Sequence, residues 1–333
     1  MQVRRTLLWI SAGMLCLSFF AAITLGGQQA PPDQAPAAQG AGAVGPGGAG
    51  PAGLQGRGGR GLPQVVHPLN DMVYWVFGPA TSNNSNDGII VGKTGVILFD
   101  TKNTLEDEQS MLAELAKITD KPITHVILSH SDGDHTNGLP ALPKGVTVIA
   151  QQYCKMTMEA SAARGGRGAA NPDYLPTQTY DKKDALTIDG VRVQLLHFAP
   201  AHTGGDTILY LPDQKIVFMG DIIVTEQRDP VMHMDNGGSP QGVVDSVKGM
   251  LALDANLYVS GHGPVVTKSE LQKRLATWQD HIDKVKALVA EGKSLDEIKQ
   301  NLGEPPAPSA PAGGRGGGLG GFTENIYLEL TRK

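Results

Sequence analysis

Apolar and polar positions alternate along the chain in a repeating order of strands and helices. Met72 to Phe77 is an apolar, aromatic run that predicts a strand. Gly88–Val91 and Val96–Phe99 predict a strand pair turning at Gly92-Lys93-Thr94-Gly95. From Leu105 to Ile118 the period changes, and Leu105, Met111, Leu112, Leu115 and Ile118 fall near one face of a helix. Ile123–Leu128 and Val146–Ala150 are again β-branched runs of strand length, and Gln151–Ala163 reads as helix. Two hairpins follow. One runs from Leu186 to Phe198 around Asp189-Gly190, the other from Thr207 to Met219 around Pro212-Asp213. Gln241–Leu253 predicts a helix and Leu257–Val259 a short buried strand. A long amphipathic helix then runs from Val266 or Thr267 to about Glu291, ended by Gly292. Ser294 caps a last helix through Leu302, with Glu297 placed to complete a capping box.

Strand pairs, then helix–strand alternation, appear twice. The expected class is α/β: one body over residues 63–303, in two similar halves, as two mixed sheets with helices outside. The flanking segments differ in composition. Residues 1–27 carry Arg4 and Arg5 ahead of the apolar stretch Leu7–Leu25, which predicts a signal peptide and a periplasmic or secreted protein. An uncleaved N-terminal anchor is the alternative and the one membrane contact foreseen. Residues 28–62 are rich in Gln, Ala, Pro and Gly and form a disordered linker, because they cannot bury enough apolar surface to fold. Residues 304–322 are a second Gly/Pro-rich flexible segment, and 323–333 a C-terminal segment. Ala162–Pro172, with Arg164-Gly165-Gly166-Arg167-Gly168, reads as a surface loop.

At 333 residues the chain can bury a large core, and its formal net charge of −5 argues against a nucleic-acid partner. Loss of the signal would remove Cys16 and leave Cys154 without a disulfide partner. Cys154 lies in a helical pattern beside Tyr153, as a buried small residue rather than a nucleophile.

The densest chemistry lies in His130-Ser131-Asp132-Gly133-Asp134-His135, directly after the Ile123 strand. Open α/β sheets place their sites at such carboxyl strand ends. Two ligands two residues apart on an extended loop can converge on one ion, and the adjacent Asp-His pair can turn toward a second. His202, in His202-Thr203-Gly204-Gly205-Asp206, follows the second strand of the first hairpin. Asp221 follows Gly220 after the Lys215 strand, and His262 sits between Gly261 and Gly263 after the Leu257 strand. Glycine lets the backbone pass close to such a site. His130, Asp132, Asp134, His135, His202, Asp221 and His262 together can hold two ions with one carboxylate bridging.

This order of residues resembles the metallo-β-lactamase superfamily over about residues 65–265. The resemblance implies a four-layer αβ/βα sandwich with the metal site at one edge of both sheets. It implies His130, Asp132 and His202 on a first metal, Asp134, His135 and His262 on a second, and Asp221 as the bridge. Asp100, which ends an early strand, resembles the residue that supports the metal loop. Where the family pattern is HxHxDH, this chain reads HxDxDH, with Asp132 in place of an imidazole. With two divalent ions the site charge falls to about +1 instead of about +2. Zinc is the first expectation, and Asp132 makes iron or manganese the alternative.

The function expected is that of an exported metallo-hydrolase using a metal-bound hydroxide on a small-molecule substrate. The bond is an ester, lactone, amide (a β-lactam among them) or phosphoester. With only the first site filled, Asp134 would act as general base. The alternatives are a non-haem iron redox enzyme, of the persulfide dioxygenase or diiron kind, and a metal-stabilised binding protein without turnover. His233, in the loop from Pro230 to Gly238, is a candidate substrate contact. His125 and His197 lie within strands and read as structural, and His67 and His281 as surface or packing residues. Asn83, Asn84 and Asn86 are turn residues or polar contacts near the first strands.

Overall fold

The computed structural model describes residues 61–77, 85–305 and 320–332. The N-terminal apolar stretch, the linker up to residue 60, Asn83, Asn84 and residues 306–319 lie outside the described residues. No helix among the described residues is long and apolar enough to cross a membrane.

Seven strands form the first sheet in sequence order: β1 (Val65–Pro68), β2 (Val73–Phe77), β3 (Asp87–Val91), β4 (Val96–Phe99), β5 (Ile123–Ile127), β6 (Thr147–Gln151) and β7 (Gln178–Tyr180). β1 to β4 are antiparallel neighbours. The parallel pairs β4–β5 and β5–β6 are joined through α1 (Leu105–Leu115) and through the segment holding α2 (Gly133–Thr136). α3 (Gln152–Arg164) leads on toward β7. The second sheet runs β13-β12-β11-β10-β9-β8, built from β8 (Lys183–Ile188), β9 (Val191–Leu196), β10 (Ile208–Leu211), β11 (Ile216–Phe218), β12 (Leu257–Val259) and β13 (Val266–Thr267). Its β11–α4–β12 crossover, with α4 at Pro240–Leu251, repeats the β4–α1–β5 crossover of the first sheet. α5 (Lys268–Ala290), α6 (Leu295–Leu302) and α7 (Phe322–Thr331) complete the chain.

The continuous apolar strands are explained by cover on both faces. In β4, Ile97 and Phe99 pack with Phe218 and Leu209 of the other sheet, while Val96 and Leu98 pack with Met111 and Leu115 of α1. In β10, Leu209 and Leu211 face the first sheet, and Ile208 and Tyr210 face Val243, Val247 and Trp278 under α4 and α5. The layers are therefore helix, sheet, sheet, helix, as expected. Each such buried side chain contributes about 1.5–3 kcal/mol, so a charge at Leu98, which is fully buried, would disrupt two layers at once.

Local signals account for the element ends. Thr104 caps α1, and capping boxes at Thr267–Glu270 and Ser294–Glu297 open α5 and α6. The Thr267 cap explains why Val266 pairs in β13 instead of starting the helix. Asp189, with φ 49°, and Gly190 turn β8 into β9. The Asp189 carboxylate accepts hydrogen bonds from the Thr94 and Gly95 amides, both at 2.6 Å, which tie the two sheets together at that turn. β1, β7 and α7 are additions to the sequence reading. β1 and β7 are short, with little apolar alternation, and α7 turns only Phe322, Thr323, Asn325 and Ile326 inward from its first turns.

Candidate metal centre

β4, β5, β9, β11 and β12 end at one edge of the two sheets, and Asp100 and every candidate metal ligand lie past one of those ends. Asp100 follows β4, the His130–His135 segment follows β5, His202 follows β9, Asp221 follows β11 and His262 follows β12. The structure brings all of these side chains together.

Three groups of potential ligand atoms result: His130, Asp132 and His202; Asp134, His135 and His262; and His130, His135 and Asp221. The first two have the same members as the sets that the resemblance implies for two metals. Asp132 Oδ2 lies 3.5 Å from His130 Nε2 and 3.3 Å from His202 Nε2. His262 Nε2 lies 3.2 Å from Asp134 Oδ2 and 3.4 Å from Asp221 Oδ2. Asp221 sits between the two sets, 3.2 Å from His135 Nε2 and 4.0 Å from His202 Nε2.

Buried acceptors fix the tautomers of His135 and His202. The Asp100 carboxylate accepts from His135 Nδ1 at 2.9 Å, and the Val231 carbonyl from His202 Nδ1 at 2.8 Å. His130 Nδ1 pairs with Ser129 Oγ at 2.8 Å. A proton held at Nδ1 makes Nε2 the atom that gives up its proton and offers its lone pair when a metal binds, as ligation requires. His130 Nε2, His135 Nε2 and Asp221 Oδ1 are buried without a hydrogen-bond partner. Buried polar atoms short of partners are costly, and these three, within 4.8 Å of one another with His135 Nε2 and Asp221 Oδ1 3.2 Å apart, fit a bound cation. The residues present therefore fit a pair of divalent ions.

Electrostatics point the same way. Burial pushes the Asp132 and Asp221 carboxyls up, but the surrounding histidines outweigh it and hold both well below the usual carboxylate range. Asp134 is lowered too, as its hydrogen bond to His262 overcomes burial. Burial opposes charge on His202, yet its hydrogen bond to Asp132 and the Asp221 charge raise it to about 9. Against the same burial, Asp221 and Asp134 raise His262 to about 9. His135 is raised well above its ordinary value, burial again being overcome by Asp221 and Asp100.

The loops are held from behind. Asp100 has φ 64°, and its second carboxylate oxygen accepts from the Ser129 amide at 2.6 Å. The Thr101 amide and hydroxyl both donate to the His135 carbonyl at 3.0 Å. Asp206 accepts from the Ala201 and Thr203 amides and the Thr203 hydroxyl, which shapes the His202 loop. The Asn86 side-chain amide donates to the Ser260 and Gly263 carbonyls, so it binds the His262 turn instead of forming a turn of its own. Buried Lys102 donates to the Ser85 carbonyl at 2.6 Å, and the Ser85 hydroxyl donates to the Asp134 carbonyl at 2.9 Å. Ser129, Asp206, Thr101 and Lys102 were missed by sequence reasoning; Asp206 lies inside a string that it singled out, and Ser129 directly before another. Glycine is required at 261, where a Cβ would fall 1.8 Å from Asp221 Oδ1.

A cleft of about 460 Å³ opens over the site, lined by Asp132, Asp134, His202, His262, Val224, Glu226, Gln227 and His233 among others. His233 stands on its wall with Nε2 2.9 Å from Asp132 Oδ2. The remaining histidines lie elsewhere. His125 and His197 bond Thr124 Oγ1 and the Asp206 carbonyl, His67 stacks on Trp75, and His281 stacks on Phe322. Cys154 is buried, and burial pushes its thiol up.

Comparison with known proteins agrees with this geometry. The chain is 24% identical over 273 residues to a linear primary-alkylsulfatase of Pseudomonas sp. (strain ATCC 19151), covering 66% of this chain and 50% of that protein. It is 28% identical over 193 residues to the alpha subunit of the 2,4-dinitroanisole O-demethylase of Nocardioides sp. (strain JS1661), covering 57% and 56%. The chain thus spans only about half the length of these curated relatives. Among solved structures, the sec-alkylsulfatase Pisa1 from Pseudomonas sp. matches with a TM-score of 0.60 at 18% identity, over 80% of this chain and 50% of that one. A metallo-β-lactamase from Pontibacter korlensis matches at 0.55 and 20% identity, over 65% of this chain and 99% of its own. The family model of the metallo-β-lactamase superfamily matches residues 80–262, a span that holds every candidate ligand, and the chain belongs to that superfamily.

Proposed function

We propose that the chain is a metallo-hydrolase that cleaves an ester-type bond in a small molecule. The ester, lactone, amide and phosphoester bonds named above are joined by sulfate esters, in view of the alkylsulfatase relatives. One observation carries the reading: two three-residue ligand sets meet at Asp221, with the buried Nε2 atoms of His130 and His135 grouped around it. Divalent ions held there would supply Lewis acidity and acidify a water molecule. His130, Asp132 and His202 would hold one ion, Asp134, His135 and His262 the other, and Asp221 both. Asp100 and the Val231 carbonyl keep Nε2 of His135 and His202 available by fixing their tautomers. Asp134, half-buried at the cleft, can take up a proton when only the first set is filled. Among the described residues no Lys or Arg lines the cleft, so acceptors, imidazoles and the valines Val224 and Val231 meet the substrate. The Arg4-Arg5 and Leu7–Leu25 pattern supports export.

The test is hydrolysis of a panel of aryl esters, lactones, β-lactams, phosphodiesters and alkyl sulfates, before and after chelation and with metal restored. The reading expects activity that disappears on chelation and returns with metal. Activity indifferent to chelation contradicts it. A redox enzyme is the second reading, favoured by the Asp132 carboxylate between His130 and His202, because hard oxygen ligands suit iron. Oxygen uptake by iron-loaded protein, with no hydrolysis across the panel, would select it.

A further inference from the structure

We propose that His233 is a positioning residue of the first metal set, acting through Asp132, and is not mainly a substrate contact. The inference rests on the metallo-hydrolase reading and assigns a part of the same site.

The segment Val231-Met232-His233 is built against both ligands that it touches. The Val231 carbonyl accepts from His202 Nδ1 at 2.8 Å. Met232 is fully buried and anchors the segment in the core under α4 and α5. The His233 amide donates to the His202 carbonyl at 2.8 Å, and the Gly238 amide donates to the His233 carbonyl at 2.8 Å. The His202 and His233 rings then stand edge to face, with centroids 5.0 Å apart. From this fixed base His233 Nε2 reaches Asp132 Oδ2 at 2.9 Å, closer than His202 at 3.3 Å or His130 at 3.5 Å.

A carboxylate ligand has two oxygens and can swing between them, unlike an imidazole held at Nδ1. The Asp132 side chain makes no capping hydrogen bond at the start of α2, and His130, in its own loop, reaches its Oδ2 only at 3.5 Å. His233 supplies that restraint with a donor on Oδ2. Hydrogen-bonded partners of metal-ligating carboxylates are worth about 10–100-fold in metal affinity. The same donor draws charge from a site with three carboxylates around it, Asp132, Asp134 and Asp221. His233 falls outside the sets whose ligand atoms all lie within 4.8 Å of one another, and touches the first set through Asp132.

The test is metal affinity by competition with a chromophoric chelator, using zinc and the full chain, for wild type, His233→Ala, His233→Gln and Asp132→His with and without His233→Ala. The inference expects His233→Ala to weaken one of two binding events about 10–100-fold and to spare the other. Gln, which keeps a donor of similar reach, should recover most of that loss. In the Asp132→His background no carboxylate remains to be held, and removal of His233 should change affinity less than about threefold, the mark of coupling through residue 132. Equal losses in both backgrounds would overturn the inference and make His233 a ligand or a structural residue. Unchanged affinity in His233→Ala would overturn it as well. If wild type takes up no metal, the parent reading fails with it; normal wild-type uptake with a failed cycle sinks only the role of His233.

Discussion

Asp100→Asn separates the support of the metal loop from its shape. Asp100 is fully buried in the left-handed region, at φ 64°, and asparagine is among the few residues that tolerate that conformation. The backbone should therefore stay in place, and only the pattern of donors and acceptors changes. Asp100 accepts twice, from the Ser129 amide at 2.6 Å and from His135 Nδ1 at 2.9 Å. Asparagine has one acceptor and one donor, so one partner must be lost. With its NH₂ toward His135, the ring has to move its proton to Nε2, the atom that lies 3.2 Å from Asp221 and would ligate metal. With its NH₂ toward Ser129, two buried donors face each other. Either arrangement costs about 1–3 kcal/mol, which converts to roughly 5–140-fold in affinity at about 1.4 kcal/mol per factor of ten. Zinc competition against a chelator reads the loss, with circular dichroism as the control for folding. A folded variant that binds zinc within about twofold of wild type would refute the tautomer argument.

Further outcomes follow from the same geometry. Gly261→Ala would place a Cβ 1.8 Å from Asp221 Oδ1 and 2.6 Å from the Gly220 carbonyl carbon, so Asp221 must move. Overpacking of this kind costs about 1–3 kcal/mol; thermal unfolding should record it together with weaker zinc binding, and unchanged binding contradicts the bridging role. His202 and His262, raised to about 9, sit above their unfolded value of about 6.5. Their contribution to the stability of the metal-free protein is full below about pH 6.5 and is lost as pH rises through about 9. At about pH 7.5 zinc uptake should therefore release protons to an indicator dye, and at about pH 10 the release should shrink. No release at the lower pH would contradict the raised protonation of these two histidines in the metal-free protein.

The sequence carried the layers and the ligands because both are periodic or compact signals. Apolar runs such as Val96–Phe99 and Ile208–Leu211 announce strands covered on both faces, and the Ser294–Glu297 box announces a helix start. His130, Asp132, Asp134 and His135 lie within six residues and name themselves as a group. The supporting residues were harder to see. Asn86 reaches the Gly263 carbonyl across 177 positions and Ser85 reaches the Asp134 carbonyl across 49, distances over which no local pattern exists. The bond from His233 to Asp132 is of the same kind. The loop was legible as the border of a pocket, but the target of its imidazole depends on how Met232 seats in the core. Short edge strands such as Gln178–Tyr180 escape for another reason: they are placed by their neighbour and not by apolar alternation.

The most direct test of the central claim is elemental analysis of the purified, unchelated protein beside an Asp221→Ala variant and an Asp132→His variant. The account predicts about two divalent ions per chain in the wild type and a marked loss on removal of Asp221. It predicts a shift toward zinc when residue 132 offers an imidazole in place of a carboxylate. A wild-type chain without metal, or one whose metal content is unchanged by loss of Asp221, would contradict it.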